Sequence, residues 1–223
     1  MRLDHHPELD TRALLPFLAA RAVPGVEEVV DGVYRRSLAD GSVRELRSGE
    51  GAVEVDGDEG AARAILRLDA DPEAILARLG SDPLLGPSVR AAPGRRIPGH
   101  PDPAELAVRA LLGQQISVAA ARTLAGRLVA AAGGPLERPV RGITHRFPTP
   151  EALAALDPET LPMPRARARA LVGMAGKPFG THLPGVGPWT AAYVALRSGD
   201  DDAFLPTDLG VRSEERRVGK ECS

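Results

Sequence analysis

The stretch LPGVGPWTAAYVALRSGDDDAFLPTD, residues 183–208, opens on a glycine turn, continues as an apolar segment with one tryptophan, and ends on a carboxylate. Gly185 and Gly187 let the backbone turn tightly and approach a ligand with no Cβ in the way. A helix beginning near Pro188 would aim its unpaired first-turn amides and the positive end of its dipole at that turn. Such a turn can hold one phosphate of a nucleic-acid backbone without reading sequence. A lone GxG also fits an ordinary turn between helices. Asp208, ahead of LGVR, fits a helix N-cap as well as a carboxylate that serves chemistry, and the residue alone leaves both open.

Working back from this stretch, the periodicity stays helical. TAAYVALRS (190–198) and RARARALVGMA (165–175) read as helices, and Pro148-Thr149-Pro150 starts a short one at 150–156. PAELAVRALLGQQ (103–115) and SVAAARTLAGRLVAAA (117–132) are two Ala/Leu-rich helices separated near Gln114 to Ser117, with Ser117 able to cap the second. Trp189 and Tyr193 lie four apart and share a helix face, either in a core or along a pocket. RAAPGRRIPGHPDP (90–103) is rich in Pro and Gly and reads as a link. Before it, VVDGVYRRSLA, SVRELRS, AVEVD and AILRLD (within 29–69) read as short strands with Gly turns between them. Helices are expected at 11–22, with Pro16 near its start, and at 72–79, capped by Asp71. The expected fold is α+β: a small N-terminal antiparallel sheet with helices over residues 1–90, then an all-helical domain over residues 91–211.

The chain has 223 residues, 43% apolar and only 3% aromatic, so Ala, Leu and Val must fill the core. Its one cysteine, Cys222, excludes a disulfide framework and a thiolate metal site. No apolar run approaches a membrane-spanning length. With 28 Lys and Arg against 30 Asp and Glu, bulk charge shows no basic excess for nucleic acid. Segments 90–96 and 165–169 are nevertheless rich in Arg. The tail RSEERRVGKECS (212–223) has no apolar period and resembles a translated sequencing-adapter read. It reads as non-native sequence on a chain cut short, or else as a charged helix end.

LPGVGPWTAAYVALR followed by FLPTD carries the hydrophobic-Pro-Gly-hydrophobic-Gly hairpin and resembles the helix-hairpin-helix DNA glycosylase superfamily. ALLGQQISVAAARTLAGRLV (110–129), PFLAARAVPGVEEVVDGVYRRSL (16–38), FPTPEALAALDPETL and MPRARARAL narrow the resemblance to the AlkA-type alkylpurine glycosylases, over nearly all of residues 12–211. The resemblance implies hydrolysis of the N-glycosidic bond of alkylated purines, of the 3-methyladenine type, in double-stranded DNA during base excision repair. It matches Asp208 to the catalytic carboxylate, Trp189, Tyr193 and Phe17 to the base pocket, and Gly185, Val186 and Gly187 to the DNA-binding hairpin. Gln115 matches the side chain that fills the gap left by the flipped base, where the best-known member has an apolar wedge. Strand-cutting relatives place a nucleophilic Lys where this chain has Trp189, so a monofunctional enzyme is implied. Some relatives carry a four-Cys iron–sulfur cluster, which one cysteine cannot hold; no cofactor and no metal are expected. The expected protein is a monomer of the bacterial cytosol or nucleoid.

Two departures stand out. GMAGKPFGTH (173–182) is short for the full helix the family places before the turn, so a poorly supported hairpin is expected. The apparent truncation removes helices that would follow Asp208. A non-catalytic DNA-binding module and an inactive glycosylase fragment are therefore the alternative readings.

Overall fold

The computed structural model describes residues 1–5, 9–49, 51–57, 59–177, 183 and 185–205. Five antiparallel strands form one sheet in the order β1-β5-β4-β3-β2. They are β1 (Arg2–Asp4), β2 (Glu27–Val30), β3 (Val33–Ser37), β4 (Val43–Gly49) and β5 (Ala52–Val55). Asp31 and Gly32, both left-handed at φ 53 and 74, make the two-residue turn that joins β2 to β3. Tyr34, Leu46, Val53 and Val55 from the sheet meet Leu14 and Leu18 of α1 (Thr11–Arg21) and Ile65 of α2 (Glu59–Leu66) in one apolar cluster. Pro16 lies in the second turn of α1, beyond the first turn where its missing N–H would be harmless.

The AILRLD stretch (64–69), expected as a strand, is instead the last three residues of α2 followed by a turn. Ala61, Ala62, Ile65 and Leu66 repeat at helical spacing and are all buried, so burial of one helical stripe decides against the β-branched appearance. The expected helix at 72–79 is present as α3 (Pro72–Leu79), and the Asp71 carboxylate accepts from Ala74 N at 2.9 Å. A short α4 (Gly86–Ala91) follows.

The second part is built on α5 (Pro103–Leu112), which is buried on nearly every side and packs against α6 (Val118–Ala132), α8 (Arg165–Met174) and α9 (Pro188–Ser198). α7 (Pro150–Ala154) packs on α8. Side-chain oxygens set the starts: Asp102 accepts from Ala104 N and Glu105 N, Ser117 from Ala120 N, and Thr149 from Ala152 N. This part is not all-helical, however. Residues 134–146 form a hairpin of β6 (Gly134–Val140) and β7 (Ile143–Arg146). Pro135 and Pro139 cannot continue α6 as a helix, while Leu136 and Ile143 are buried. The hairpin docks on the five-stranded sheet: Ser37 Oγ donates to His145 O at 2.7 Å, and Gly142 N donates to Glu28 at 3.2 Å. Among the described residues, no helix is long and apolar enough to cross a membrane.

The sheet and the helices are joined by a buried cluster of charges. Arg36 of β3 reaches Glu27 at 3.2 Å and Glu105 of α5 at 2.7 Å. Arg109, one turn further along α5, reaches Glu27 at 2.9 Å and Glu105 at 3.0 Å. Tyr34 donates to Glu27 at 2.8 Å, and Nε2 of His100 lies 3.2 Å from Arg36. Burial is the largest influence on Glu27 and pushes its pKa up, but Arg109 and Arg36 outweigh it and hold the carboxyl at about 2. Glu105 is likewise pushed up by burial and pulled further down by Arg36 and His100. For His100, burial lowers the pKa; Glu105 opposes this, and the two arginines reinforce it.

The pH dependence follows from these signs. Each group binds fewer protons folded than unfolded, so each contributes stability that is lost on acidification. The His100 contribution is present above its ordinary value of 6.5 and falls away below it. The Glu27 and Glu105 contributions persist down to 4.5 and are then lost. A plot of Tm against pH should be flat above about 7, decline below 6.5 and drop more steeply below 4.5. A Tm that rises on acidification through 6.5 would contradict the lowering of the His100 pKa by burial.

Candidate active site

The glycine turn sits where the sequence places it, at the entrance to α9. Leu183 is buried and its carbonyl accepts from Val186 N at 3.1 Å. Val186 is partly buried against the helical core. Gly185 has φ +80, and a Cβ on it would lie 2.8 Å from the Ala170 Cβ and 3.1 Å from Leu111 Cδ1. Both the backbone angle and the close approach therefore require glycine there. Gly187 is the N-cap of α9 and receives no side-chain cap, and a Cβ there would meet nothing within 4 Å. Ala170 belongs to α8, so that helix lies directly beneath the turn. Among the described residues, the turn is supported at Gly185 by Ala170 of α8 and Leu111 of α5. Pro184, residues 178–182 of the short connection, and residues 206–223, which include Asp208, fall outside the described residues.

A second loop meets this turn. Gln114, just past the end of α5, donates from Nε2 to Gly185 O at 2.8 Å and to Thr190 Oγ1 at 3.0 Å. Its own carbonyl accepts from Arg167 of α8 at 2.6 Å. Gln115 follows with φ +60 and an exposed side chain, beside the exposed Ile116. One glutamine thus fastens the two loops, and the next projects from their junction.

Between the loops and the sheet lies a cavity of about 900 Å³, lined by Phe17, Gln115, Trp189, Tyr193 and Arg197 among others. It falls at the upper end of the roughly 300–1,000 Å³ of small-molecule sites. Trp189 and Tyr193 stack with ring centroids 5.2 Å apart and planes within 10°. Arg197, on the same helix face, donates to Tyr193 Oη at 2.7 Å, to Gly99 O at 3.1 Å and to Pro98 O. Phe17 of α1 forms part of the opposite wall, with the guanidinium carbons of Arg21 and Arg197 at 3.8 and 5.1 Å from its ring centroid. The structure therefore brings Phe17, Gln115, Trp189 and Tyr193 to one cavity, with the Gly185–Gly187 turn at its edge.

Gln114, Arg21 and Arg197 carry much of this geometry and were not singled out by the sequence reading. Arg197 could have been found, since it continues the stripe of Trp189 and Tyr193 at four-residue steps. Glu27, His100 and Glu105 place ligand atoms within 4.8 Å of one another. Arg36 and Arg109 hydrogen-bond those carboxylates, so the group is an ion-pair cluster, with guanidinium nitrogens where a metal would need free lone pairs.

A helix-hairpin turn feeding an aromatic cavity, next to a small antiparallel sheet, defines a glycosylase-type fold. The 3-methyladenine DNA-glycosylase from Archaeoglobus fulgidus has this fold: it superimposes with a TM-score of 0.81 at 24% identity, over 98% of this chain and 86% of that one. A family model for the AlkA N-terminal domain matches residues 1–63 and 59–102. DNA-3-methyladenine glycosylase 2 of Escherichia coli (strain K12) is 37% identical over 94% of this chain and 85% of its own length. The probable bifunctional transcriptional activator/DNA repair enzyme AlkA of Mycobacterium tuberculosis (strain CDC 1551 / Oshkosh) is 44% identical over 91% of this chain. This chain spans 47% of that mycobacterial protein's length. The chain belongs to the AlkA family of DNA-3-methyladenine glycosylases.

The two glycines of the turn should respond differently to substitution. Gly185→Ala should cost about 1–3 kcal/mol of stability through the left-handed angle and the contact with Ala170. Gly187→Ala should cost less than about 1 kcal/mol, since its backbone is ordinary and its surroundings open. Equal losses in denaturant unfolding would show that the turn is not packed on α8 as described.

Proposed function

We propose that this chain is a monofunctional DNA glycosylase that hydrolyses the N-glycosidic bond of alkylated purines in double-stranded DNA. The observation that carries the reading is the stacked Trp189–Tyr193 pair facing a cavity that opens beside the glycine turn. A base buried in a duplex must leave the stack to be reached. The cavity is large enough for a purine, and an aromatic face suits a flat, electron-poor ring. The uncapped start of α9 suits a backbone phosphate. Gln115, exposed at the tip of the α5–α6 turn, is our candidate to fill the space the base leaves.

In the reaction, water adds to the anomeric carbon as the bond to the base breaks, and the bonding electron pair leaves with the base. A base made cationic by alkylation departs neutral and needs little further help. The sugar passes through an oxocarbenium-like state. A carboxylate beside it stabilises that charge and orients the water. Asp208, three residues beyond the cavity-lining Leu205, is our candidate for that group. Trp189 has no amine to form a Schiff base with the sugar, which supports strand-sparing hydrolysis and an abasic product. We further propose that the chain acts as a monomer, without cofactor, in base excision repair in the cytosol or nucleoid.

Incubation with a methylated duplex should release free methylated purine and leave the strand intact. Asp208→Asn should slow release about a hundredfold or more while retaining DNA binding. Binding without release by a well-folded unaltered chain would favour a non-catalytic module. Absence of any cooperative unfolding transition would favour an inactive fragment.

A further inference from the structure

The hydroxyl of Tyr193 is a polar end on the stacked pair that lines the cavity. Arg197 donates to its Oη from Nη1 at 2.7 Å. The two residues lie four apart on α9, so this bond runs along one helix face. The guanidinium is itself anchored: Nε donates to Pro98 O, and Nη2 donates to Gly99 O at 3.1 Å. Arg197 is only 6% exposed, so these bonds are shielded from water. A guanidinium carries five N–H donors and no acceptor. The proton on Tyr193 Oη therefore cannot be given to Arg197 and must point away from it. Among the described residues, the bond received from Arg197 is the one hydrogen bond this hydroxyl makes. Tyr193 is half-buried in the cavity wall, with one face of its ring against Trp189.

We propose that Tyr193 reads the extruded base through its hydroxyl, donating to a ring nitrogen or carbonyl oxygen of the purine, and that Arg197 aims this donor. This role rests on the cavity being the base-excision site proposed above. Stacking suits any flat ring, whereas a fixed donor distinguishes one ring edge from another. A hydroxyl that accepts from a cation donates more strongly than a free one. As the glycosidic bond breaks, its electron pair returns to the ring, and the lone-pair atoms of the base become better acceptors. The bond from Tyr193 therefore tightens toward the transition state, which speeds departure as well as holding the base. This applies fully to a cationic alkylated purine, whose acceptors are weak before cleavage and ordinary after it. Arg197 is a positioning residue in this scheme, since it acts on the base through Tyr193.

The test uses one duplex preparation treated with a methylating agent, which carries both 3-methyladenine and 7-methylguanine. The ratio of their two release rates is read, and a reduced folded fraction cancels in it. Both lesions are cationic in the strand, so charge and stacking are alike. Their acceptors differ: 3-methyladenine offers lone pairs at N1 and N7, and 7-methylguanine at N3 and O6. Tyr193→Phe keeps the ring and removes the donor, and should move the ratio about three- to tenfold by slowing the base whose acceptor the hydroxyl meets. Slower 3-methyladenine puts the hydroxyl at the N1 or N7 edge, and slower 7-methylguanine puts it at N3 or O6. Arg197→Met leaves the donor unaimed and should move the ratio in the same direction by less. One common factor for both bases in Tyr193→Phe would make the hydroxyl a mere prop for Arg197 and overturn the donor role. A moved ratio in Tyr193→Phe with an unmoved one in Arg197→Met would overturn the aiming role. Release of neither base by the unaltered chain would instead overturn the glycosylase reading, and the donor with it.

Discussion

Four buried side chains, Glu27, Arg36, His100 and Glu105, together with the largely covered Arg109, bind the sheet to the helices at the edge of the cavity. Arg36 and Glu27 come from adjacent strands, Glu105 and Arg109 from successive turns of α5, and His100 from the link that leads into it. Removing such charges from water costs several kcal/mol each, and close geometry must return it. Here each carboxylate meets two guanidiniums, so no charge in the group lacks a counter-charge. The net gain over an apolar filling is small on general grounds. What the cluster supplies is register, because one strand and one helix must meet at a fixed point for every member to be satisfied.

That register determines the site. Arg109 also donates to the carbonyl of Arg21 at 2.7 Å, fixing the end of α1 against α5. α1 carries Phe17, so one wall of the cavity is positioned through the cluster. The opposite wall is α9, held on α5 and fastened at its base by Gln114. Arg197 then reaches across to the link at Pro98 and Gly99, between the cluster and the aromatic wall. Few aromatics are available in this chain, and four of them, Phe17, Tyr34, Trp189 and Tyr193, line the cavity.

Much of this was legible in the sequence, for local reasons. α3, α5, α6, α8 and α9 each show an apolar stripe, and α3, α5 and α6 begin at an Asp or Ser that caps them. The turn at Gly185 and Gly187 was legible because glycine has few other reasons to recur at that spacing before a helix. α2 was misread because Ile65, Leu66 and Leu68 look like a strand until their burial partners are known. The β6–β7 hairpin was missed because Pro135 and Pro139 break its alternation, and it is completed by docking on β3 rather than by its own pattern. The charge cluster could not be read at all. Positions 27, 36, 100, 105 and 109 meet only in the folded chain, and each resembles a solvated charge when read alone. Gln114 was hidden similarly, since its partners at Gly185 and Thr190 lie far along the chain.

The most direct measurement is a double-mutant cycle on Arg36 and Glu105, read as unfolding free energy in denaturant. Arg36→Met alone leaves two buried carboxylates short of a partner and should cost about 3–5 kcal/mol. Adding Glu105→Leu should recover part of that loss, giving a coupling of about 1–3 kcal/mol between the two positions. Losses that simply add, to within about 0.5 kcal/mol, would show that the two residues do not join the sheet to the helices.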